Sequence, residues 1–202
     1  MSDNTTNNKR IAKNTLYMYL RMIVMMVISL YTSRIVLQTL GVDNFGIYNI
    51  VGSIVVFFTF INNGLGFATK RYITADIAER NIKKGMHTFN VCFNAHFIIA
   101  GIIFFLAELI GPFVIYKYLN IPEGREFAAQ IVYQISIITT ILSIIQSPFG
   151  TVIVAHEDMS VYAYFTIVDV ILKLGLIFLV QALNGDKLII YALLTMMVVI
   201  IN

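Results

Sequence analysis

The segment NFGIYNIVGSIVVFFTFINNGLGFAT (residues 44–69) contains no Asp, Glu, Lys or Arg. Two further segments, 85–107 and 127–156, also lack these four residue types. A helix that crosses a bilayer needs about 20 mainly apolar residues in succession, and an uncharged run of 18 or more is the usual signature of one. These segments therefore predict an all-α, polytopic membrane protein.

The overall composition agrees with this prediction. The chain is 58% hydrophobic and 12% charged, whereas soluble domains average about 45–50% apolar and about 25% charged residues. We expect six membrane spans, with bounds of roughly 14–37, 44–66, 87–110, 127–149, 161–182 and 188–202. The last span is short for a crossing at about 1.5 Å per residue, so we expect it to be truncated and the chain to be a fragment of a longer protein.

The basic residues predict the orientation in the membrane. Eight Lys and Arg residues lie in the N-terminal tail and in the connection 67–86, against four in the loops on the other side. The positive-inside rule therefore predicts a cytoplasmic N-terminus. The net charge of +3 fits cytoplasmic loops and does not indicate a nucleic-acid partner. The segment 70–84 is either a loop that connects two spans or a helix that lies on anionic lipid headgroups.

Each of the first five predicted spans carries polar residues that share one helix face at 100° per residue. Hydroxyl, amide and glycine residues are common in contacts between membrane helices, so packing alone could account for most of them. The stripes include Tyr17 and Arg21; Tyr48, Asn62 and Gly66; Asn90 and Asn94; Ser143 and Ser147; and Tyr162, Asp169 and Lys173.

Packing does not explain the charged members of these stripes. A charge at the centre of a bilayer costs about 2.5–3.5 kcal/mol on insertion scales, so it normally has a partner or faces water. Asp169 and Lys173 are four residues apart and can form an ion pair on one helix face. That pair could be structural, or it could line a hydrophilic cavity together with Arg21. Such a cavity would carry net positive charge and would suit an anionic, sugar-bearing cargo.

The stretch TSRIVLQTLGVDNFGIYNIVGSIVVFFTFINNGLGFATKRYI (32–73) resembles the N-terminal part of Wzx-type lipid-linked oligosaccharide flippases. These flippases belong to the superfamily that includes the multidrug and toxic-compound extruders. In this pattern, a first span that ends in Ser-Arg leads through a tight turn, LGVDNFG, into a second span and a basic loop. The segments IPEGREFAAQIVYQISIIT (121–139) and SPFGTVIVAHEDMSVYAY (147–164) also resemble that family.

The resemblance implies a six-helix bundle equivalent to one half of such a transporter. It implies transfer of an undecaprenyl-pyrophosphate-linked oligosaccharide across the bacterial inner membrane for surface polysaccharide assembly. The expected partners are the lipid bilayer, a coupling ion (H⁺ or Na⁺) and polysaccharide-assembly proteins. On this hypothesis Arg21 and Lys173 neutralise the pyrophosphate and Asp169 positions Lys173 or takes part in ion coupling. The residues expected along the sugar path are Tyr17, Tyr48, Asn62, Asn90 and Asn94.

Three alternatives remain open. A drug or cation extruder of the same superfamily would favour unpaired carboxylates and aromatic residues. A non-transporting remnant or scaffold would use its small-residue faces for oligomerisation. A membrane enzyme would depend on His156, Glu157 and Asp158, but this spacing is poor for a metal site, and the chain has no nucleophile–base pattern or phosphate-binding loop. We therefore expect no enzyme activity, metal or cofactor.

Overall fold

A computed structural model describes residues 2–119 and 121–201, without the side chains of residues 2–7, 56, 58, 59, 61, 116 and 118. No β-strand occurs in the described residues, which confirms the all-α fold class there. Asn202, the last residue of the predicted sixth span, lies outside them. The helices are α1 (Ser2–Leu40), α2 (Val42–Ala78), α3 (Ile82–Tyr118), α4 (Glu126–Ala155), α5 (Met159–Ala182) and α6 (Lys187–Ile201).

Four helices in the described residues are long and apolar enough to cross a membrane. They are α1 from Asn8 to Leu40, α3 from Ile82 to Ile115, and the whole of α4 and α5. The helix α6 is apolar but has only 15 residues. The chain is therefore a multi-pass membrane protein, and it remains a prediction that segments 44–66 and 188–202 also cross the bilayer.

The connection between α1 and α2 is a single residue, Gly41, with a φ of +80°. Its N–H donates to the Leu37 carbonyl, and its own carbonyl accepts from the Phe45 N–H, both at 3.0 Å. Glycine adopts positive φ without a Cβ clash, which confirms the tight turn predicted there. Because the other connections are also short, consecutive helices run in opposite directions, and α1 therefore runs parallel to α5.

The helices form two packing units. In the first, α2, α3 and α4 pack on one another around a core that includes Val51, Ile103 and Val132, and α6 adds Leu188 to this core. In the second, α1 packs mainly on α5.

Contacts tie α1 to α5 and to the turn that precedes α5. Near the C-terminal ends of both helices, Val36 of α1 and Ile177 of α5 belong to one buried cluster. At one end the Asn14 amide donates to the Glu157 carbonyl at 3.1 Å. At the other end the Gln181 amide donates to the Thr39 hydroxyl at 2.8 Å. These two helices are therefore held in register at both ends.

A close contact fixes α3 against α4. The Tyr133 side chain of α4 is 1% exposed, and its hydroxyl donates to the Ala107 carbonyl of α3 at 2.7 Å. A Cβ atom on Gly111 would overlap the Tyr133 hydroxyl and ring carbons. The missing side chain at position 111 is therefore what lets the tyrosine ring lie against α3.

The outer surface of the helices is strongly apolar. Met22, Met26 and Leu30 on α1, and Phe105 and Leu109 on α3, are all exposed. Soluble monomers rarely expose contiguous apolar patches larger than a few hundred Å². These side chains are suited to contact with lipid hydrocarbon, in agreement with the membrane-spanning length of α1 and α3.

Candidate substrate cleft

A polar cleft of about 700 Å³ lies between α2, α4 and α5. Its walls combine amides, hydroxyls, one ammonium group and aromatic rings. The lining residues of α2 are Asn62, Asn63, Gly66, Phe67 and Lys70; those of α4 are Ser143, Ser147, Gly150, Thr151 and Val154; and Tyr162 is contributed by α5.

The charge of the cleft wall is positive. Lys70 is the cation in the lining, and none of the described lining residues is an Asp or a Glu. Asn62, Ser143 and Ser147 can donate to or accept from sugar hydroxyls, and lysine is a good partner for phosphate. The cleft therefore presents an ammonium group together with amides and hydroxyls.

The cleft forms because two of the polar stripes seen in the sequence face each other. A Cβ atom on Gly66 of α2 would lie 4.0 Å from the Ser147 hydroxyl oxygen of α4. The glycine therefore leaves space directly opposite the serine. The stripe containing Asn62 on α2 and the stripe containing Ser143 on α4 form the two long walls.

Arg21 lies behind one wall of this cleft. Its guanidinium carbon is 4.8 Å from the centroid of the Tyr162 ring, a cation–π contact. Its Nε atom is buried and has no hydrogen-bond partner among the described residues. Tyr162, whose ring the guanidinium contacts, also lines the cleft. Tyr17, one turn before Arg21, is half-buried, and the Lys13 ammonium is 5.8 Å from its ring centroid.

Asp169 and Lys173 form the ion pair that their spacing predicts. The Lys173 ammonium is 2.8 Å from the Asp169 carboxylate, with the two side chains 37% and 17% exposed. Lys173 is 11 residues beyond Tyr162 on α5, or about 16 Å along the helix at 1.5 Å per residue. The structure therefore places Arg21 near the polar cleft, and it places the Asp169–Lys173 pair about three turns further along α5.

Tyr48 borders a second, smaller cavity of about 140 Å³ between α2, α4 and α6. Its ring makes an edge-to-face contact with Tyr191, with centroids 4.9 Å apart. Thr195 of α6 also lines this cavity. Ser136 and Thr140 of α4 also line this cavity. Both cavities therefore lie along the same α2–α4 groove, with polar residues of α4 in each.

The structure places Asn90 and Asn94 elsewhere. Both side chains are exposed and neither lines the polar cleft. Asn90 instead lines a separate, mainly apolar groove between α2, α3 and α4, and Asn94 lies one turn further along α3. The inner face of α3 instead carries Cys92 and His96, and His96 is fully buried. The His96 Nδ1 atom lies 2.9 Å from the Cys92 carbonyl, and its Nε2 atom has no partner among the described residues.

Sequence reasoning missed Lys70 as a lining residue, because it assigned Lys70 to the basic loop after the second span. In the structure α2 continues to Ala78, so Lys70 lies on the helix. It follows Asn63 by seven residues and Gly66 by four, which are spacings that keep residues on one helix face. Extending the polar stripe beyond the predicted end of the span would have included it.

Taken together, the helices, the apolar outer surface and the polar cleft define a multi-pass membrane protein with a polar path between its helices. Residues 18–179 match the MatE family model, which covers most of the chain. The protein therefore belongs to the MatE family, a family of membrane transporters and not of enzymes. No curated protein and no solved structure gives a significant match to the chain.

Proposed function

We propose that this MatE-family protein translocates an undecaprenyl-pyrophosphate-linked oligosaccharide across the bacterial inner membrane for surface polysaccharide assembly. The observation that carries the proposal is the charge of the polar cleft. Lys70 lies in its wall and Arg21 lies behind Tyr162, whereas no lining residue among those described is a carboxylate. A pyrophosphate needs cations, and a glycan needs the amides and hydroxyls that make up the rest of the wall.

The proposed path follows the α2–α4 groove. With a cytoplasmic N-terminus, the polar cleft opens toward the cytoplasmic side, where the cargo is made, and the smaller cavity beside Tyr48 lies further along. Lys70 binds the pyrophosphate first, and Arg21 attracts it from behind Tyr162. Asn62, Ser143 and the Tyr48 cavity then contact sugar hydroxyls, while the lipid tail stays in the bilayer.

The pair of Asp169 and Lys173 is proposed for ion coupling. Because Asp169 neutralises Lys173, the pair is not a free cation for the cargo. A proton or Na⁺ that binds the Asp169 carboxylate would release the Lys173 ammonium, so this pair can exchange one cation for another. Polysaccharide-assembly proteins remain proposed partners.

A binding measurement tests the cargo class. The probes are undecaprenyl pyrophosphate, the uncharged alcohol undecaprenol, and the lipophilic cation tetraphenylphosphonium, each titrated against the purified chain in detergent. We expect the pyrophosphate to bind more tightly than the alcohol. The variant Lys70→Gln should bind the pyrophosphate about tenfold more weakly and the alcohol equally well. A tenfold loss is at the lower end of the range for a charge-assisted contact, because Lys70 is exposed.

The matched control is Lys83→Gln, which removes an exposed lysine outside the cleft. If both variants weaken pyrophosphate binding equally, the effect is general electrostatics and the cleft is not the binding site. In the bacterium that encodes the protein, Arg21→Ala should reduce surface polysaccharide at unchanged membrane insertion.

A drug or cation extruder is the second candidate, favoured by the aromatic side chains of Phe67 and Tyr162 in the cleft. Such a protein would bind tetraphenylphosphonium better than the pyrophosphate. Lys70→Gln would then strengthen binding of the cation, because a like charge is removed. The sign of the Lys70→Gln effect therefore separates the two functions.

A further inference from the structure

A second groove, of about 840 Å³, lies on the other side of the α2–α4 pair, where α3 completes its wall. We call it the apolar groove. Its lining is mainly aliphatic and aromatic and includes Ile77, Ile82, Met86, Phe89, Phe149 and Val152. The volume falls within the range of about 300–1,000 Å³ typical of small-molecule sites.

The polar groups at the rim of this groove are not equivalent. Asp76 is buried, and its carboxylate lies 3.2 Å from the Lys84 ammonium, which is also 2.7 Å from Glu79. A hydrogen bond with Thr88, helped by Lys84, holds the pKa of Asp76 below its ordinary value against the opposite effect of burial. Lys84 therefore bridges two carboxylates and is not free to pair with an anionic ligand.

Arg80, unlike Lys84, is not held by a carboxylate among the described residues. It lies in the turn between α2 and α3 with a φ of +54°, and its backbone N–H donates to the Ile77 carbonyl at 3.0 Å. Its exposed side chain lines the groove and has no ion-pair partner in the part of the chain that the structure describes. The rim of the apolar groove therefore carries a free guanidinium.

The position of the apolar groove along α3 and α4 indicates which class of ligand it can hold. It lies at the ends of α3 and α4, two helices long and apolar enough to cross the membrane. In a bilayer spanned by α3 and α4, the apolar wall would lie at the edge of the hydrocarbon region and Arg80 would lie near the lipid phosphates. We infer that the apolar groove holds an acyl chain of an anionic phospholipid whose phosphate pairs with Arg80. This site is separate from the polar cleft and does not depend on the proposed cargo.

A fluorescence titration tests this site, because the chain has no tryptophan. The reporter is the variant Phe89→Trp, which places an indole in the groove, titrated in detergent with phosphatidylglycerol or phosphatidylcholine carrying brominated acyl chains. We expect saturable quenching by phosphatidylglycerol, at about one lipid per chain, and weaker binding of phosphatidylcholine. Adding Arg80→Gln should reduce the phosphatidylglycerol affinity on the order of tenfold, to the level of phosphatidylcholine.

The matched control is Arg71→Gln, the same change at an exposed position of α2 outside the groove. It should leave the affinity unchanged. Equal affinity for the two lipids, non-saturating quenching, or equal loss in the Arg71 and Arg80 variants would each overturn the inference. Native mass spectrometry of the unaltered chain counts bound phosphatidylglycerol without any substitution, so a poorly folded reporter cannot hide the answer. Undecaprenyl pyrophosphate binding in the polar cleft would survive such a failure.

Discussion

Replacing Gly111 by alanine should destabilise the protein, because the added methyl group would overlap the buried ring of Tyr133. Moving that ring has two energetic consequences. Overpacking in a core typically costs about 1–3 kcal/mol. If the Tyr133 hydroxyl also loses its 2.7 Å hydrogen bond to the Ala107 carbonyl, the unsatisfied buried groups cost about 1–3 kcal/mol more.

A smaller effect of the same substitution, on helix propensity, stabilises the protein. Alanine has a higher helix propensity than glycine, by about 1 kcal/mol. The net expectation is therefore a loss of about 3 kcal/mol, which for a protein of about this size lowers Tm by roughly 6–12 °C. The control is Gly101→Ala on the same helix, where no atom lies within 4 Å of the added Cβ. Gly101→Ala should leave Tm unchanged or raise it slightly.

The assay can use the single cysteine of the chain. Cys92 is 9% exposed in the folded state, so a thiol-reactive fluorogenic maleimide reports unfolding in detergent. If Gly111→Ala unfolds at the same temperature as Gly101→Ala, the proposed contact between Tyr133 and α3 is wrong. In a Tyr133→Leu background, the Gly111→Ala change should cost much less, because the shorter side chain leaves room for the methyl group.

Three further predictions concern charged and aromatic groups. Asp169→Asn should lower Tm by more than the double variant Asp169→Asn with Lys173→Met. The single change leaves an unpaired ammonium, whose burial costs about 2.5–3.5 kcal/mol on insertion scales. Equal Tm values for the two variants would show that the pair is not coupled. Tyr162→Phe should keep the Tm of the parent. Tyr162→Leu should lower Tm because it loses the cation–π contact with Arg21, worth about 0.5–2 kcal/mol. If Tyr162→Leu lowers Tm by the same amount in an Arg21→Met background, that contact does not stabilise the protein. Because the pKa of Asp76 is lowered by folding, its stabilising contribution is complete above its unfolded value of about 3.9 and is lost as the pH falls through the lower folded value. Tm measured from pH 8 to pH 3 should therefore fall less on the acid side for Asp76→Asn than for the parent.

The class of protein could be predicted from the sequence because it depends on local composition. The uncharged runs 85–107 and 127–156 predicted α3 and α4, two of the four helices that are long and apolar enough to cross a membrane. The residue pattern around Gly41 predicted the tight turn. The four-residue spacing between Asp169 and Lys173 was also sufficient to predict their ion pair, since both partners of an i,i+4 pair lie on the same helix.

The lining of the polar cleft was predicted only in part, because helical periodicity shows which residues share a face but not what that face contacts. The stripe with Asn62 on α2 does face a polar stripe of α4. The stripe with Asn90 and Asn94 on α3 does not reach the polar cleft, since the opposite face of α3, with Cys92 and Ala100, packs against its neighbours, and Asn90 lines the apolar groove. Periodicity also gives no axial position, so it could not separate Lys173 from Arg21 along the bundle.

The pairing of α1 with α5 has a consequence for how the protein is made. The two residues of the Gln181–Thr39 hydrogen bond are 142 positions apart in the chain. At a synthesis rate of about 5–20 residues per second, α5 follows α1 out of the ribosome after roughly 7–28 s. During that interval the first helix waits in the membrane without its main neighbour, with Arg21 not yet against Tyr162. The cation–π contact between Arg21 and Tyr162 can therefore form only after the start of α5 has been made.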